Sequence, residues 1–363
     1  MKLFKCQHCG QLLYFENTYC ERCGHTLGFW PETMELLTLV KTGDNGFGDF
    51  LQTGERYRYC QNAQRGACNW LVKAGDEKEF CRACRLNNTI PDLNNSSRLS
   101  AWQKLEIAKH RLIYTLLRLG LPVLEKSEDS SGGLAFDFLE ENENQDKVIM
   151  GHAEGLITIN LAEADEVKRV STREELGEPY RTLLGHFRHE VGHYYWDLLI
   201  KNDEYRIAEF RSIFGNEEMN YQEALQTYYK NGAPLNWQND FVSAYGTAHP
   251  WEDWAETWAH YLHVMDTLET AYSFGLRINP VAVSRVEMLV AEYGLDPFKV
   301  KNFQRLIDLW IPLTIALNSV NRSMGQPDLY PFVVSPVAIK KLNFVHTLLA
   351  EIKNINLPLT VWE

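Results

Sequence analysis

The spacing of apolar and polar residues predicts strands in the first half of the chain and helices in the second. A helical stripe that includes Leu99, Trp102 and Leu105 predicts a helix over about 98–119, which a Gly-Leu-Pro segment ends. From about residue 178 onward the spacing is helical. Three short apolar segments separated by polar turns predict strands, at 134–139, 148–151 and 155–161. The pattern predicts an α+β protein that is mainly α-helical and carries a small β-sheet.

A change in composition just before the first predicted helix indicates a domain boundary. A polar, Pro-containing stretch at 85–97 (RLNNTIPDLNNSS) is typical of a domain boundary. The chain has 363 residues, which exceeds the usual size of one domain. We therefore predict two domains, at 1–95 and 96–363.

The composition favours a globular protein outside the membrane. Hydrophobic residues make up 45 % of the chain, enough for a sizeable core, and this excludes a largely disordered protein. No apolar run approaches the 18 or so residues of a membrane-spanning helix. The N-terminal sequence lacks the apolar core of a signal peptide. We expect a cytoplasmic location and no membrane partner.

The charge is strongly acidic, with 36 Lys and Arg against 48 Asp and Glu, a formal net of −12. Residues 1–100 contain 12 basic and 11 acidic side chains, so the remaining 263 residues carry −13. A protein that binds along the phosphate backbone of a nucleic acid needs a positively charged surface. We therefore expect no nucleic-acid partner.

All eight cysteines lie in the first 84 residues, which predicts two structural zinc sites. The first set consists of two C-x-x-C-G knuckles. The second contains one C-x-x-C knuckle and a wider pair separated by seven residues, so its pattern is looser. The spacing does not decide whether the two sites are sequential or cross-braced. The eight candidate ligands are Cys6, Cys9, Cys20 and Cys23, then Cys60, Cys68, Cys81 and Cys84.

A helical segment carries the motif H-E-x-x-H at His189, Glu190 and His193. Residues four apart on a helix are neighbours on one face, so both imidazoles can reach one zinc ion. The glutamate beside the first histidine then lies near the open coordination position, where it can accept a proton from water. The motif predicts a catalytic zinc with Glu190 as general base.

A hydrolytic zinc needs a third protein ligand, and the segment after Pro250 offers two. Glu252 and Glu256 are four residues apart on a predicted helix that begins at Pro250, and helical geometry alone does not choose between them. His249 is an alternative ligand, but it precedes the helix. Three other histidines fit a supporting or core position better than a ligand position: His186, His260 and His263.

The chain resembles a bacterial family of zinc-dependent metallopeptidases that carry an N-terminal zinc ribbon. The resemblance covers nearly the whole chain and implies peptidase chemistry, without implying a substrate. It is carried by RLN at 85–87, IPD at 90–92, GHFRHE at 185–190 continuing to Trp196, and YPF at 330–332.

The site segment is also similar to gluzincins of the thermolysin and anthrax lethal factor type. In those enzymes H-E-x-x-H is followed by E-x-x-x-D on a later helix, and here Glu replaces Asp. The resemblance implies that Glu252 binds the metal and that Glu256 orients a ligand histidine. A tyrosine seven residues before the ligand glutamate corresponds to Tyr245, which implies a donor to the oxyanion.

We therefore expect a zinc-dependent hydrolase of peptide or isopeptide bonds that contains one catalytic and two structural zinc ions. Its expected partners are a protein or peptide substrate and a protein that docks on the zinc ribbons. The alternative is a catalytically inactive zinc-binding scaffold whose ribbons form the working surface. A complete set of Glu190 and three ligand candidates favours the enzyme, because a degenerate site usually lacks one of them.

Overall fold

The computed structural model describes residues 1–43, 46–141, 148, 150–176, 182–281 and 287–354. Its helices lie mainly in the second half of the chain, as the apolar spacing predicts. They are α1 Ser96–Leu119, α2 Glu166–Leu176, α3 Leu183–Leu199, α4 Glu204–Phe214, α5 Tyr221–Asn231, α6 Pro250–Phe274, α7 Phe303–Ser323 and α8 Pro336–Asn354.

The strands are short and, within the described residues, form four sheets. In the N-terminal region they are β1 Phe4–Lys5, β2 Leu12–Leu13, β3 Thr26–Trp30, β4 Glu35–Lys41, β5 Phe47–Asp49, β6 Arg56–Tyr59 and β7 Leu71–Lys73. The later strands are β8 Asn87–Thr89, β9 Ala135–Leu139, β10 Gly151–Ala153, β11 Leu156–Asn160, β12 Arg277–Ile278 and β13 Ala291–Glu292. Together with the helices they confirm the α+β class.

The strand pairing separates a zinc-ribbon region from a mixed sheet. Strands β3 to β7 form an antiparallel meander in chain order, and β1 pairs with β2 as a hairpin. The mixed sheet has the order β10-β11-β9-β8, in which β9 lies parallel to both of its neighbours. Two of the predicted strands correspond to β9 and β11. Part of the third, 148–151, lies outside the described residues, and β10 begins where that prediction ends.

By packing, the chain divides into two compact units, Met1–Lys168 and Arg169–Glu363. The domain boundary predicted after residue 95 lies inside the first unit. Strand β8 precedes that boundary and pairs with β9 beyond it. A strand and its partner bury backbone groups together, so the packing unit extends past the polar segment. The two-domain division at 95 stays a prediction about domain organisation.

Sequence signals account for where the principal helices begin and end. Helix α1 starts after Asn95, whose side chain accepts hydrogen bonds from the amides of Ser97 and Arg98, and ends at Gly120 with a φ of +75°. Helix α6 begins at Pro250, as predicted, and the preceding His249 caps it. Helix α3 begins at Leu183 after Thr182; the predicted start near residue 178 lies outside the described residues.

Helices α3 and α6 approach each other closely at one glycine. A Cβ built on Gly192 would lie 3.1 Å from the Ala255 Cα and 3.2 Å from the Trp258 Cβ. The indole nitrogen of Trp254 donates a 2.8 Å hydrogen bond to the Gly192 carbonyl. The glycine inside H-E-x-x-H therefore allows the two helices to pack closely enough for their polar side chains to meet.

Candidate metal centres

The eight cysteines form two separate groups in chain order, so the sites are sequential and not cross-braced. Cys6, Cys9, Cys20 and Cys23 gather in the β1–β2 hairpin and the turn before β3. The other four gather between β6 and β8, and all of these are buried: Cys60, Cys68, Cys81 and Cys84.

The sulfur separations fit zinc and not disulfides. The sulfur atoms of Cys6 and Cys23 are 3.7 Å apart, those of Cys9 and Cys20 3.5 Å, and those of Cys68 and Cys81 3.7 Å. A disulfide requires about 2.05 Å. Four sulfurs at about 2.3 Å from one zinc ion lie about 3.8 Å from each other in a tetrahedron. Both groups therefore have the donor set and spacing of closed structural zinc sites.

The second cysteine group is joined to helix α1. The Cys84 Sγ lies 3.6 Å from the His110 Nε2, and the His110 Nδ1 donates a 2.6 Å hydrogen bond to the Glu106 carbonyl. Glu106 is itself fully buried and paired with Lys109 at 2.7 Å. This contact explains why the second ribbon packs in the same unit as α1.

Helices α3 and α6 bring together the three residues predicted to bind the catalytic zinc. The His189 and His193 Nε2 atoms are 3.2 Å apart. The Glu252 Oε2 lies 3.0 Å from the His189 Nε2, and the Glu252 Oε1 lies 3.6 Å from the His193 Nε2. One donor atom from each residue falls within 4.8 Å of the others.

These separations fit a metal ion held by two nitrogens and one oxygen. Ligands at about 2.1 Å from a tetrahedral zinc lie about 3.4 Å apart, which is close to the three observed distances. The Glu252 Oε2 and the His193 Nδ1 are buried and have no hydrogen-bond partner among the described residues. A buried carboxylate oxygen without a donor is costly unless a cation satisfies it, so the residues present fit a zinc ion.

The electrostatics of the site also favour a bound cation. Burial raises the pKa of Glu252, but the His193 and His189 imidazoles outweigh it and hold the pKa well below its usual value. The pKa values of Glu190 and Glu256 are lowered in the same way, against burial, by neighbouring histidines. Two buried carboxylates, Glu190 and Glu252, and the half-buried Glu256 therefore lie around two imidazoles, a concentration of negative charge that suits a divalent cation.

Glu256 lies behind His189 rather than beside the other donor atoms. Its Oε1 is 2.6 Å from the His189 Nδ1, whereas the opposite nitrogen of the same ring faces Glu252 and His193. A carboxylate on the Nδ1 fixes the tautomer in which the Nε2 is free to bind a metal.

Glu190 is buried beside the site and contacts a histidine that lies outside the H-E-x-x-H motif. Its Oε1 lies 3.2 Å from the His186 Nε2, one helical turn earlier. Glu190 is not among the three residues whose donor atoms converge, so its carboxylate is available for proton transfer. The i, i+4 spacing of His186 and Glu190 could have indicated this pair.

Tyr245 and Tyr221 lie beside the site, and the sequence indicated one of them, Tyr245. The ring of Tyr245 lies 5.8 Å from that of His189. Burial, followed by the Glu252 carboxylate, raises the pKa of Tyr245, so its hydroxyl keeps its proton. The other is Tyr221, whose hydroxyl donates a 2.6 Å hydrogen bond to the Glu252 Oε1. No motif distinguishes Tyr221 among the 17 tyrosines.

The remaining histidine candidates are engaged elsewhere. The His249 Nδ1 accepts from the Trp251 amide at 3.1 Å and its Nε2 donates to the Met219 carbonyl at 3.1 Å. The His260 Nδ1 lies 2.6 Å from the Tyr330 hydroxyl, and the His263 Nδ1 lies 2.5 Å from the Arg188 guanidinium. Each of these rings therefore stabilises the surrounding fold, and none joins the three converging donors.

Comparison with known proteins connects both halves of the chain to zinc. A family model described as "Putative zinc-binding metallo-peptidase" matches residues 98–348, and a zinc-ribbon domain model matches residues 3–95. The chain is 41 % identical over 352 residues to proteins of Mycobacterium bovis and Mycobacterium tuberculosis that are named only as uncharacterized. The match covers 97 % of this chain and 96 % of each relative. No solved structure matches.

Within the described ranges, no helix has the length and apolarity needed to cross a bilayer.

Proposed function

The chain belongs to a family of zinc-binding metallopeptidases with an N-terminal zinc ribbon, and from this membership we propose that it hydrolyses peptide or isopeptide bonds. The observation that carries the proposal is the convergence of His189, His193 and Glu252 beside the buried carboxylate of Glu190. Two imidazoles and one carboxylate leave a tetrahedral ion one open position, which distinguishes a catalytic site from a closed structural one.

In the proposed mechanism His189, His193 and Glu252 would hold the ion, as in gluzincins. When bound there, a zinc ion would lower the pKa of water and polarise a carbonyl group. Glu190 accepts the proton of the attacking water on its carboxylate and then donates it to the leaving amine. His186 holds one Glu190 oxygen, and Glu256 keeps the Nε2 of His189 directed at the ion.

Tyr245 is proposed to stabilise the negative charge that develops on the substrate carbonyl oxygen. Its hydroxyl stays protonated because burial and the nearby carboxylate raise its pKa, so it can donate a hydrogen bond. The zinc ribbons are proposed to be structural, because each metal would stabilise a segment too short to form its own core. We also propose that they dock or regulate protein partners.

We expect three zinc ions per chain, two resistant to chelation and one labile. The cysteine groups are closed and largely buried, whereas the His189 site leaves one coordination position open. Metal analysis of purified protein before and after dialysis against EDTA should give three and then two equivalents. Two or fewer equivalents in protein purified without chelators would overturn the three-site assignment.

The activity itself is tested with a library of peptides derived from a bacterial proteome. Zinc-loaded protein should generate new peptide N-termini, which mass spectrometry detects. The same protein stripped of labile zinc should generate none until zinc is restored. Absence of cleavage by fully loaded protein, on peptides and on folded protein extracts alike, would favour the inactive scaffold.

A further inference from the structure

Helix α5 is held against the metal site by tyrosine side chains rather than by an apolar core. None of the eleven residues of Tyr221–Asn231 is buried. Tyr221 and Tyr228 are seven residues apart and so share one face of the helix. The ring of Tyr228 lies 5.6 Å from that of Tyr245, and the ring of Tyr221 lies 5.2 Å from that of His249.

Tyr221 reaches the proposed metal ligand directly. Its hydroxyl donates to the Glu252 Oε1 at 2.6 Å, and its ring lies 5.7 Å from that of Trp251. Partial burial, and then the charge of Glu252, raises the pKa of Tyr221. The hydroxyl therefore keeps its proton and acts as the donor in this bond.

The hydrogen bond from Tyr221 engages the Oε1 of the Glu252 carboxylate and not the Oε2. The Glu252 Oε2 faces the His189 Nε2 at 3.0 Å and accepts no hydrogen bond within the described structure. Glu252 comes from the first turn of α6, and its side chain has three rotatable bonds. A donor on the Oε1 selects the rotamer in which the Oε2 points to the His189 Nε2 and the Oε1 lies 3.6 Å from the His193 Nε2.

We propose that Tyr221 is a positioning residue that fixes Glu252 for zinc and thereby couples zinc binding to the docking of helix α5. The inference rests on the proposed function, because it takes Glu252 as a ligand. Coupling between two binding events is reciprocal. If a docked α5 favours zinc by holding Glu252, zinc in turn favours the docked helix.

The first experiment measures zinc affinity in the full-length protein. The hydroxyl is removed in Tyr221→Phe, which keeps the ring and its contacts, and the matched control is Tyr205→Phe on helix α4, whose side chain is exposed. Competition with a chromophoric chelator should show that Tyr221→Phe binds the labile zinc about 10-fold more weakly, in the range found for residues that orient metal ligands. Tyr205→Phe should bind zinc as the unaltered protein does.

The outcomes separate this inference from the proposed function. If the unaltered protein holds no labile zinc, the proposed function fails. If it holds zinc and Tyr221→Phe has the same affinity within twofold, or if both variants weaken equally, the positioning role is overturned. In a Glu252→Ala background, Tyr221→Phe should cause no further loss of residual zinc affinity, because the bond it removes is already absent.

A second measurement needs no substitution. Hydrogen–deuterium exchange of the unaltered protein, followed on peptides covering Tyr221–Asn231, should slow when the labile zinc is added to chelated protein. Peptides from α4, which contributes no side chain to the three converging donors, serve as the internal reference. Exchange in α5 that is unchanged by zinc would contradict the coupling, even if Tyr221→Phe failed to fold.

Discussion

Glu190→Gln should reduce hydrolysis by roughly 10²- to 10⁴-fold or more while leaving the labile zinc in place. Glu190 contributes no donor atom to the converging set, so the metal ligands are unchanged. Gln has the same shape but cannot accept a proton from water. The measurement pairs zinc stoichiometry with cleavage of a peptide found in the library experiment, at saturating substrate.

The control for Glu190→Gln is Glu209→Gln, which removes the charge of an exposed glutamate on α4. This variant should retain both zinc and activity. A Glu190→Gln protein that cleaves at the unaltered rate would remove Glu190 from the mechanism. Loss of zinc together with activity would instead indicate that Glu190 supports the metal.

Glu252→Ala should lose the labile zinc at ordinary free-zinc concentrations, whereas Glu256→Ala should still bind it about 10- to 100-fold more weakly. Glu252 is 1 % exposed and both its oxygens face imidazole Nε2 atoms, so alanine removes a donor from the centre of the set. Glu256 contacts only the far nitrogen of His189 within that set, so its loss disturbs the orientation of the ring.

The comparison between the two glutamates uses competition with a chelator over a range of free zinc. Both variants should retain the two chelator-resistant ions, which shows that the N-terminal sites are intact. If the order of affinities is reversed, or if both proteins hold labile zinc equally, Glu252 is not the third ligand. The assignment of Tyr245, which depends on its offset from Glu252, would then fall as well.

The fold class and zinc family followed from local sequence signals. Cysteine knuckles are read directly from spacing because two thiolates three residues apart meet in one turn. Helix α1 was predicted from its stripe and from Gly120, and α6 from Pro250, because caps and proline act within one turn of the chain. These predictions needed no knowledge of which elements pack together.

The division of the cysteines into two groups depends on tertiary structure. Cys60 and Cys68 are separated by seven residues, so their spacing does not identify their partners. The fold of the segment between β6 and β8, which contacts helix α1 through Cys84 and His110, places them with Cys81 and Cys84. The same packing extends the first unit to residue 168, beyond the polar segment that resembles a boundary.

By itself, the sequence determined the two histidines and the glutamate of H-E-x-x-H, because the period of one helix places them. It also supplied both Glu252 and Glu256, but their separation of one helical turn left their roles open. Only the packing of α6 against α3 at Gly192 puts Glu252 among the donor atoms and Glu256 behind the His189 ring. Tyr221 reaches Glu252 from a separate helix 31 residues away, and a contact between elements leaves no periodic signal in the chain.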